Sequence, residues 1–454
     1  MSDILFIYPN PSEESPQRNP ALSIFFPGAA CEAAGYDVEY WDERFDSYKD
    51  MWEKVLNARR IGISTMTGVQ LKNALKLARL YKLFKPDAPL IWGGVHPTLL
   101  PKQTLDHSFV DYLIQGEGEK QIVELLRCLD DGKKWPSNRP NKPLNLSSEY
   151  ISPITSKTLS YFGATAPILP TSRGCPYDCA FCCVPQLYKR CWRPVPFEQW
   201  AIDVERILEI NRPQIWEFND ENALRIDHIL PYLKYLKKRG IQGHCHMRAD
   251  FFRVKDSARR LRDAGCRWVH IGVESGDRRV LRLMNKKEEP WDFTRVAERL
   301  HDVGIGATFT FILGVPTETR KERENTFRLA ERLYKIMHGD CRMTFYPWMP
   351  LPGSALYTLG VKEGLFREPK TLEDWQSWEP LTDDECRRIY LTAGLAFNSG
   401  KHGKTRKNFP GLWRLLILPF EILAKIRFKA RKFEGCDMLW AQKLIRWRAG
   451  HVSR

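Results

Sequence analysis

Short apolar runs alternate with longer stretches of helical periodicity through the first 130 residues of the chain. The runs "DILFIYP", "DVEYWDE", "RIGISTMT", "PLIWGGVH" and "VDYLIQGEGE" have strand length. Between them, stretches such as "GVQLKNALKLARLYKLFK" and "KQIVELLRCL" repeat their apolar positions at helical spacing. Five short strands linked by helices predict an open, mostly parallel sheet over residues 1–132. The opening "MSDILFIYPNPSEES" reaches a turn after six apolar-rich residues, so it reads as the first strand rather than a leader. The last three strands run into small or polar turns, Ser64 to Gly68, Gly93 to Pro97 and Gly116 to Glu119. Ligands of such sheets sit beyond the carboxyl ends of the strands, where close backbone approach favours glycine. Thr65, Thr67, Gly93, Gly94 and Gly116 are therefore candidate ligand contacts.

Residues 133–167 are rich in Pro, Ser, Asn and Lys and read as an interdomain linker. Alternation then resumes with "APILPTSRG", "QIWEFNDEN", "QGHCHMRAD", "CRWVHIGVESG", "GATFTFILGVP" and "CRMTFYPWMP". Helical segments such as "FEQWAIDVERILEIN" and "FTRVAERLHDVG" separate them. This predicts a second α/β domain over residues 168–370, followed by a helical, basic region at 371–454.

Length supports this division, because 454 residues exceed one ordinary domain and 43% hydrophobic residues suffice for sizeable cores. The net charge of +15 is unevenly placed: residues 401–454 hold 14 Lys/Arg against 3 Asp/Glu, a net +11. The remainder is near neutral, which argues against a nucleic-acid-binding core. The tail "GLWRLLILPFEILAKIRFKARKFEGCDMLWAQKLIRW" mixes large apolar and basic residues at roughly helical spacing and is split by Pro419. It reads either as a peripheral membrane-surface element or as a helix packed on the domain with a solvated basic face. No apolar run approaches the roughly eighteen residues needed to span a bilayer. A cytoplasmic location is expected, with thiols kept reduced and clustered cysteines serving metal or catalysis.

Four of the twelve cysteines fall within "RGCPYDCAFCC", residues 173–183. Structural zinc takes four ligands, often as two pairs, and no second pair lies near Cys175, Cys179 and Cys182. Cys183 directly follows Cys182, so its side chain projects differently and makes a poor fourth ligand. A loop of this length can instead wrap a cubane iron–sulfur cluster, giving thiolates to three irons and leaving the fourth open. An open iron implies chemistry at the cluster. The other eight cysteines are scattered and read mainly as packing residues.

The C-x3-C-x2-C pattern, with the aromatic Phe181 before its last cysteine, resembles the radical S-adenosylmethionine superfamily signature. That resemblance implies a [4Fe-4S] cluster on Cys175, Cys179 and Cys182, held in a partial TIM-type (β/α)6 barrel. The open iron would chelate S-adenosylmethionine, and the reduced cluster would cleave it to a 5′-deoxyadenosyl radical. "HIGVESG" resembles the family's strand-end motif, with Glu274 toward the ribose hydroxyls, and "ATFTFILGVPTET" resembles its later strand and glycine turn beside the adenine. "WEFNDEN" resembles the second strand, ending in Asp220. An N-terminal Rossmann-like sheet with "GGVHPTLLP" and "DYLIQGEGE" ahead of such a barrel resembles the cobalamin-dependent branch. The D-x-H-x-x-G motif that gives cobalt a histidine in many cobalamin proteins is absent, and His96 reads equally as a turn histidine.

This resemblance implies methyl transfer to an unactivated carbon, with one S-adenosylmethionine methylating cobalamin and a second generating the radical. Bacteriochlorophyllide methyltransferases and the anaerobic magnesium-protoporphyrin monomethyl ester cyclase share the layout. A tetrapyrrole is accordingly the expected hydrophobic substrate, ahead of a hopanoid or other lipid, with a flavodoxin- or ferredoxin-type reductant as partner. Oxidative cyclisation or hydroxylation is the alternative outcome. A methylthiotransferase-like enzyme would be expected to carry a second cysteine-ligated cluster in the N-terminal domain, which holds only Cys31 and Cys128. A non-enzymatic iron–sulfur protein is the remaining reading.

The ligand assignment makes a direct prediction. Cys175→Ala, Cys179→Ala and Cys182→Ala each abolish cluster iron in anaerobically reconstituted protein, whereas Cys183→Ala and Cys191→Ala retain it. Equal iron loss in Cys183→Ala and Cys179→Ala would refute the assignment.

Overall fold

The computed structural model describes residues 1–12, 19–136, 142–218, 220–223, 225–378 and 413–430. The first five strands are β1 (Ile4–Tyr8), β2 (Val38–Asp42), β3 (Ile61–Ser64), β4 (Leu90–Gly93) and β5 (Tyr112–Leu113). They form a parallel sheet of order β2-β1-β3-β4-β5. Helices cover both faces, so β1 and β3 are apolar on both sides, as their almost fully buried residues show. The strand order reverses between β1 and β3, and in this doubly wound topology the reversal opens a crevice above the strand ends.

A short antiparallel pair, β6 (Ser172–Arg173) and β7 (Arg193–Pro194), follows. It closes the neck of the cysteine loop. The second sheet contains β8 (Ile215–Glu217), β9 (Gln242–Met247), β10 (Cys266–Glu274), β11 (Gly306–Leu313) and β12 (Cys341–Pro347). All neighbours are parallel, in the order β12-β11-β10-β9-β8. The first of the six expected barrel strands, "APILPTSRG", is reduced to one parallel bridge, Ile168 to Glu217. The proline at 170 has no N–H to extend that ladder, and the chain turns instead into the β6–β7 pair.

The two sheets share one apolar core. It runs from Ile4, Phe25 and Tyr40 through Phe162 and Leu169 to Trp200, Phe309 and Phe345. Residues 142–167 lie in the seam: Phe162 is buried 5.7 Å from the Phe25 ring, and Tyr150 sits 6.1 Å from Phe26. After the barrel, Leu372 and Trp375 return to the core of the N-terminal sheet. The last described helix, Trp413–Ala430, runs unbroken through position 419, where the sequence pattern suggested a split. An internal proline costs about 3 kcal/mol but need not end a helix whose later turns are docked. Here Ala424 and Phe428 are buried, and Phe428 meets Phe327 at 5.3 Å and Phe345 at 5.9 Å. The remaining tail positions, 379–412 and 431–454, lie outside the described residues. No described helix is long and apolar enough to cross a membrane.

One glycine fixes the crevice floor. Gly94 adopts φ +98°, and a Cβ there would lie 2.7 Å from the Thr65 carbonyl oxygen and 2.8 Å from Ser64 Oγ. Gly35 has a similar φ of +90° but open space around it. Urea denaturation should therefore show Gly94→Ala losing at least about 2 kcal/mol, clearly more than Gly35→Ala at about 1 kcal/mol.

Candidate active site

The cysteine loop leaves β6 through Gly174, whose φ is +85° and whose Cβ would collide with the Cys191 carbonyl oxygen at 2.1 Å. Its backbone is pinned along its length. Ala180 N–H donates to Met284 O at 2.8 Å, Leu356 N–H donates to Ala180 O at 2.8 Å, and Asn285 Nδ2 donates to Asp178 O at 2.6 Å. Cys175, Cys179, Phe181 and Cys182 all line one cavity of about 600 Å³; Cys183 does not.

Positive charge is built into that cavity. Arg248, at the end of β9, donates from Nη1 to Cys179 Sγ at 3.4 Å and stacks 3.9 Å over the Tyr177 ring. Its other contacts, Asp250 at 3.3 Å and Glu288 at 3.3 Å, hold it in place. Val184 N–H donates to Cys182 Sγ at 3.4 Å. Burial pushes the Cys182 thiol up to about 12 and raises Cys175, so a bound cation must displace protons there. Three cavity-facing thiols with N–H donors on two of their sulfurs fit a three-cysteine cluster site.

Glu274 closes the other side of the cavity. It ends β10 at φ +66°, beside a register shift between Gly272 and Glu274. Its carboxylate folds back over Gly272, where a Cβ would come within 2.2 Å of Oε1. Lys286 Nζ lies 3.3 Å from the same oxygen and 3.5 Å from Glu288. Burial raises the Glu274 carboxyl, and the Lys286 ammonium opposes that shift. Asp220 is placed behind the wall: it accepts from Thr171 Oγ1 at 3.0 Å and from Ser172, while its neighbours Glu221 and Asn222 line the cavity.

A second cavity, about 260 Å³, sits at the strand-order reversal of the first sheet. Gly93, Gly94 and Gly116 line it, together with Ser64 and Thr98. Thr65 and Thr67 do not. Thr65 is fully buried, and Thr67 Oγ1 meets His96 Nδ1 at 3.0 Å. His96 is itself buried, edge-on to Trp375 at 5.5 Å, and burial pushes its pKa down to about 4. It is absent from the crevice lining. The opposite wall comes from the barrel domain, as Arg173, Tyr188 and Glu221. Glu221 thus borders both cavities. It accepts from Gly174 N–H at 2.9 Å, which ties this wall to the neck of the cysteine loop. The glycine-lined floor offers backbone groups to a ligand lying between the two domains.

A family model described as the radical SAM superfamily matches residues 169–330, and one described as the B12 binding domain matches residues 13–126. The chain is a cobalamin-dependent radical SAM enzyme. The two matched domains imply a [4Fe-4S] cluster, S-adenosylmethionine and cobalamin as its cofactors, with an external reductant for the cluster. It is 25% identical over 366 residues to an uncharacterized methyltransferase of Pyrococcus horikoshii, covering 74% of this chain and 78% of that one. It is 24% identical over 302 residues to the bacteriochlorophyllide d C-12(1)-methyltransferase of Chlorobaculum tepidum, covering 64% of each. With the anaerobic magnesium-protoporphyrin IX monomethyl ester cyclase of Cereibacter sphaeroides it shares 23% over 393 residues, 77% of this chain and 63% of that one. The chain thus spans just under two thirds of the latter two relatives. Its fold superposes on the cobalamin-dependent radical enzyme OxsB, solved with aqua-cobalamin and S-adenosylmethionine bound. That match has TM-score 0.72 at 16% identity and covers 99% of this chain and 75% of that one.

Sequence reasoning passed over Arg248, Lys286, Glu288 and Glu221, although "HMRAD" and "MNKKEE" follow directly on strand or helix ends. It also missed a buried junction. Arg173 Nη1 donates to Glu117 Oε1 at 2.8 Å and Glu119 Oε1 at 2.6 Å, while Arg193 Nη1 donates to Glu117 Oε2 at 2.6 Å. Removing one partner of such a buried group strands the opposite charge. Arg173→Met is expected to lower unfolding free energy by about 3–5 kcal/mol in denaturant titration, and adding Glu119→Leu to recover part of that loss.

Proposed function

We propose that this enzyme transfers a methyl group to an unactivated carbon of a hydrophobic tetrapyrrole, a bacteriochlorophyllide-like pigment being the best fit. One observation carries the reading: the cysteine-lined cavity and the glycine-lined crevice share Glu221 as a wall, so one substrate pocket lies within reach of both. The relatives that act on tetrapyrroles support the substrate class.

In this reading Cys175, Cys179 and Cys182 hold the cluster beside Phe181. Glu274 takes the ribose hydroxyls of S-adenosylmethionine, and Gly93, Gly94 and Gly116 let the backbone approach cobalamin. When bound, these groups supply a hydrogen-abstracting radical and a transferable methyl group. The chain's own contribution is placement. Arg248 offsets negative charge at Cys179, and Gly272 leaves room for Glu274 to turn into the cavity. The Gly174 and Glu221 contact fixes the distance between the two sites. A flavodoxin- or ferredoxin-type protein delivers electrons. On the last described helix, exposed Ile422 and Ile426 beside Lys425 and Lys429 support contact with a membrane surface holding the pigment.

The cyclase relative favours a second reading, oxidation or ring closure by the same radical. Methyl-labelled S-adenosylmethionine separates the two, with precursor taken from a strain lacking the gene. The expected product carries the label on carbon. A product that gains oxygen or a ring without label would replace methyl transfer with oxidation.

A further inference from the structure

Outside the cluster ligands, the barrel cavity holds another convergence of donor groups. His246 on β9 and His270 on β10 lie directly across from each other in the ladder. Their rings stack at 4.5 Å with 8° between planes. Glu217, the last residue of β8, brings Oε1 to 3.1 Å from His246 Nε2 and 3.8 Å from His270 Nε2. One ligand atom from each of the three residues falls within 4.8 Å of the other two. Among the described residues they are the only such group.

We propose that Glu217, His246 and His270 form a binding site for a divalent transition metal of the zinc type. Imidazole nitrogen and carboxylate oxygen bind zinc at about 2.0–2.2 Å, so two ligand atoms on a tetrahedral ion stand about 3.4 Å apart. The two Glu217 separations bracket that value. An ordinary ion pair uses one imidazole. Both Nε2 atoms lie within 4 Å of one carboxylate oxygen, and each ring has to tilt out of the stack for its in-plane lone pair to meet a shared ion. A pair of imidazoles with one carboxylate also matches the donor preference of zinc and its neighbours rather than of magnesium or calcium.

The placement says what the metal does. His246 and His270 line the same 600 Å³ cavity as the three cysteines. The side chains of His246 and Glu217 are about two-fifths exposed, at 40% and 42%. Three protein ligands with an open side are the pattern of a metal that takes a further ligand, not of a closed structural site. The open position faces the substrate space, so the metal holds an oxygen or nitrogen donor of the substrate. Arg342, on β12 and lining the same cavity, supplies positive charge for an anionic group brought with it. The anchoring role rests on the substrate cavity proposed above; the metal site itself does not.

The test uses full-length protein with its cluster reconstituted, treated with a chelator, exposed to zinc and gel-filtered before metal analysis. About one zinc per chain is expected beyond the cluster iron. His246→Ala, His270→Ala and Glu217→Gln should each lower retained zinc at least about tenfold while keeping cluster iron, whereas His244→Ala, on the adjoining position of the same strand face, should keep both. Zinc-edge X-ray absorption of the unsubstituted protein provides a readout that no variant's folding can disturb: two imidazoles and no sulfur are expected. No retained zinc, sulfur ligation, or equal zinc in the variants would overturn the site. Because neither readout involves turnover, failure of the methyl-transfer reading leaves this result standing, and the reverse holds.

Discussion

Arg173 is where the two halves of the molecule become one. Its guanidinium lies buried against Phe26 at 4.0 Å and between the carboxylates of Glu117 and Glu119, both at the start of the helix that follows β5. Arg193 on the partner strand adds a second cation to Glu117. Taken from water singly, each of these charges would cost several kcal/mol; together they satisfy one another only in one geometry. That geometry sets the crevice of the first sheet against the neck of the cysteine loop, because Arg173 directly precedes Gly174. The mutual attraction keeps the Arg173 guanidinium charged despite the burial that opposes it.

The site's design follows from that junction. Gly174 cannot carry a side chain because the Cys191 carbonyl blocks it, and its N–H is committed to Glu221. Glu221 therefore stands where both cavities meet. Across the barrel, Glu274 occupies a left-handed conformation that non-glycine residues rarely adopt, at the end of a strand with a broken register. Lys286 and the space over Gly272 determine that conformation. Strain at this strand end turns a carboxylate into the cavity instead of along the sheet.

The barrel interior is more polar than a purely hydrophobic substrate requires. Thr308, Thr310, Thr344 and Arg342 line it along with the two stacked histidines. A pigment with an apolar macrocycle and carboxylate-bearing edges would use both kinds of wall, while a plain hydrocarbon lipid would leave these groups unpaired.

Periodicity, glycine-rich strand ends and cysteine spacing determine a great deal without coordinates. They give two α/β domains, parallel sheets, and a cysteine loop with three useful thiols and a fourth that turns away. Those signals are local: each depends on residues within one strand, turn or loop. Tertiary structure decided what depends on distant partners. It shortened the first barrel strand to a bridge at Ile168, carried the last described helix through position 419, and filled the seam with residues 142–167. It placed Gly93, Gly94 and Gly116 on the crevice but turned Thr67 to His96, and it exchanged Asp220 for Glu221 at the cavity wall. No spacing rule reveals that Arg173 meets Glu117, 56 residues earlier, or that His246 and His270 stack across two strands. A side chain's chemistry is written in the sequence, but the direction it faces is set by the packing of whole sheets.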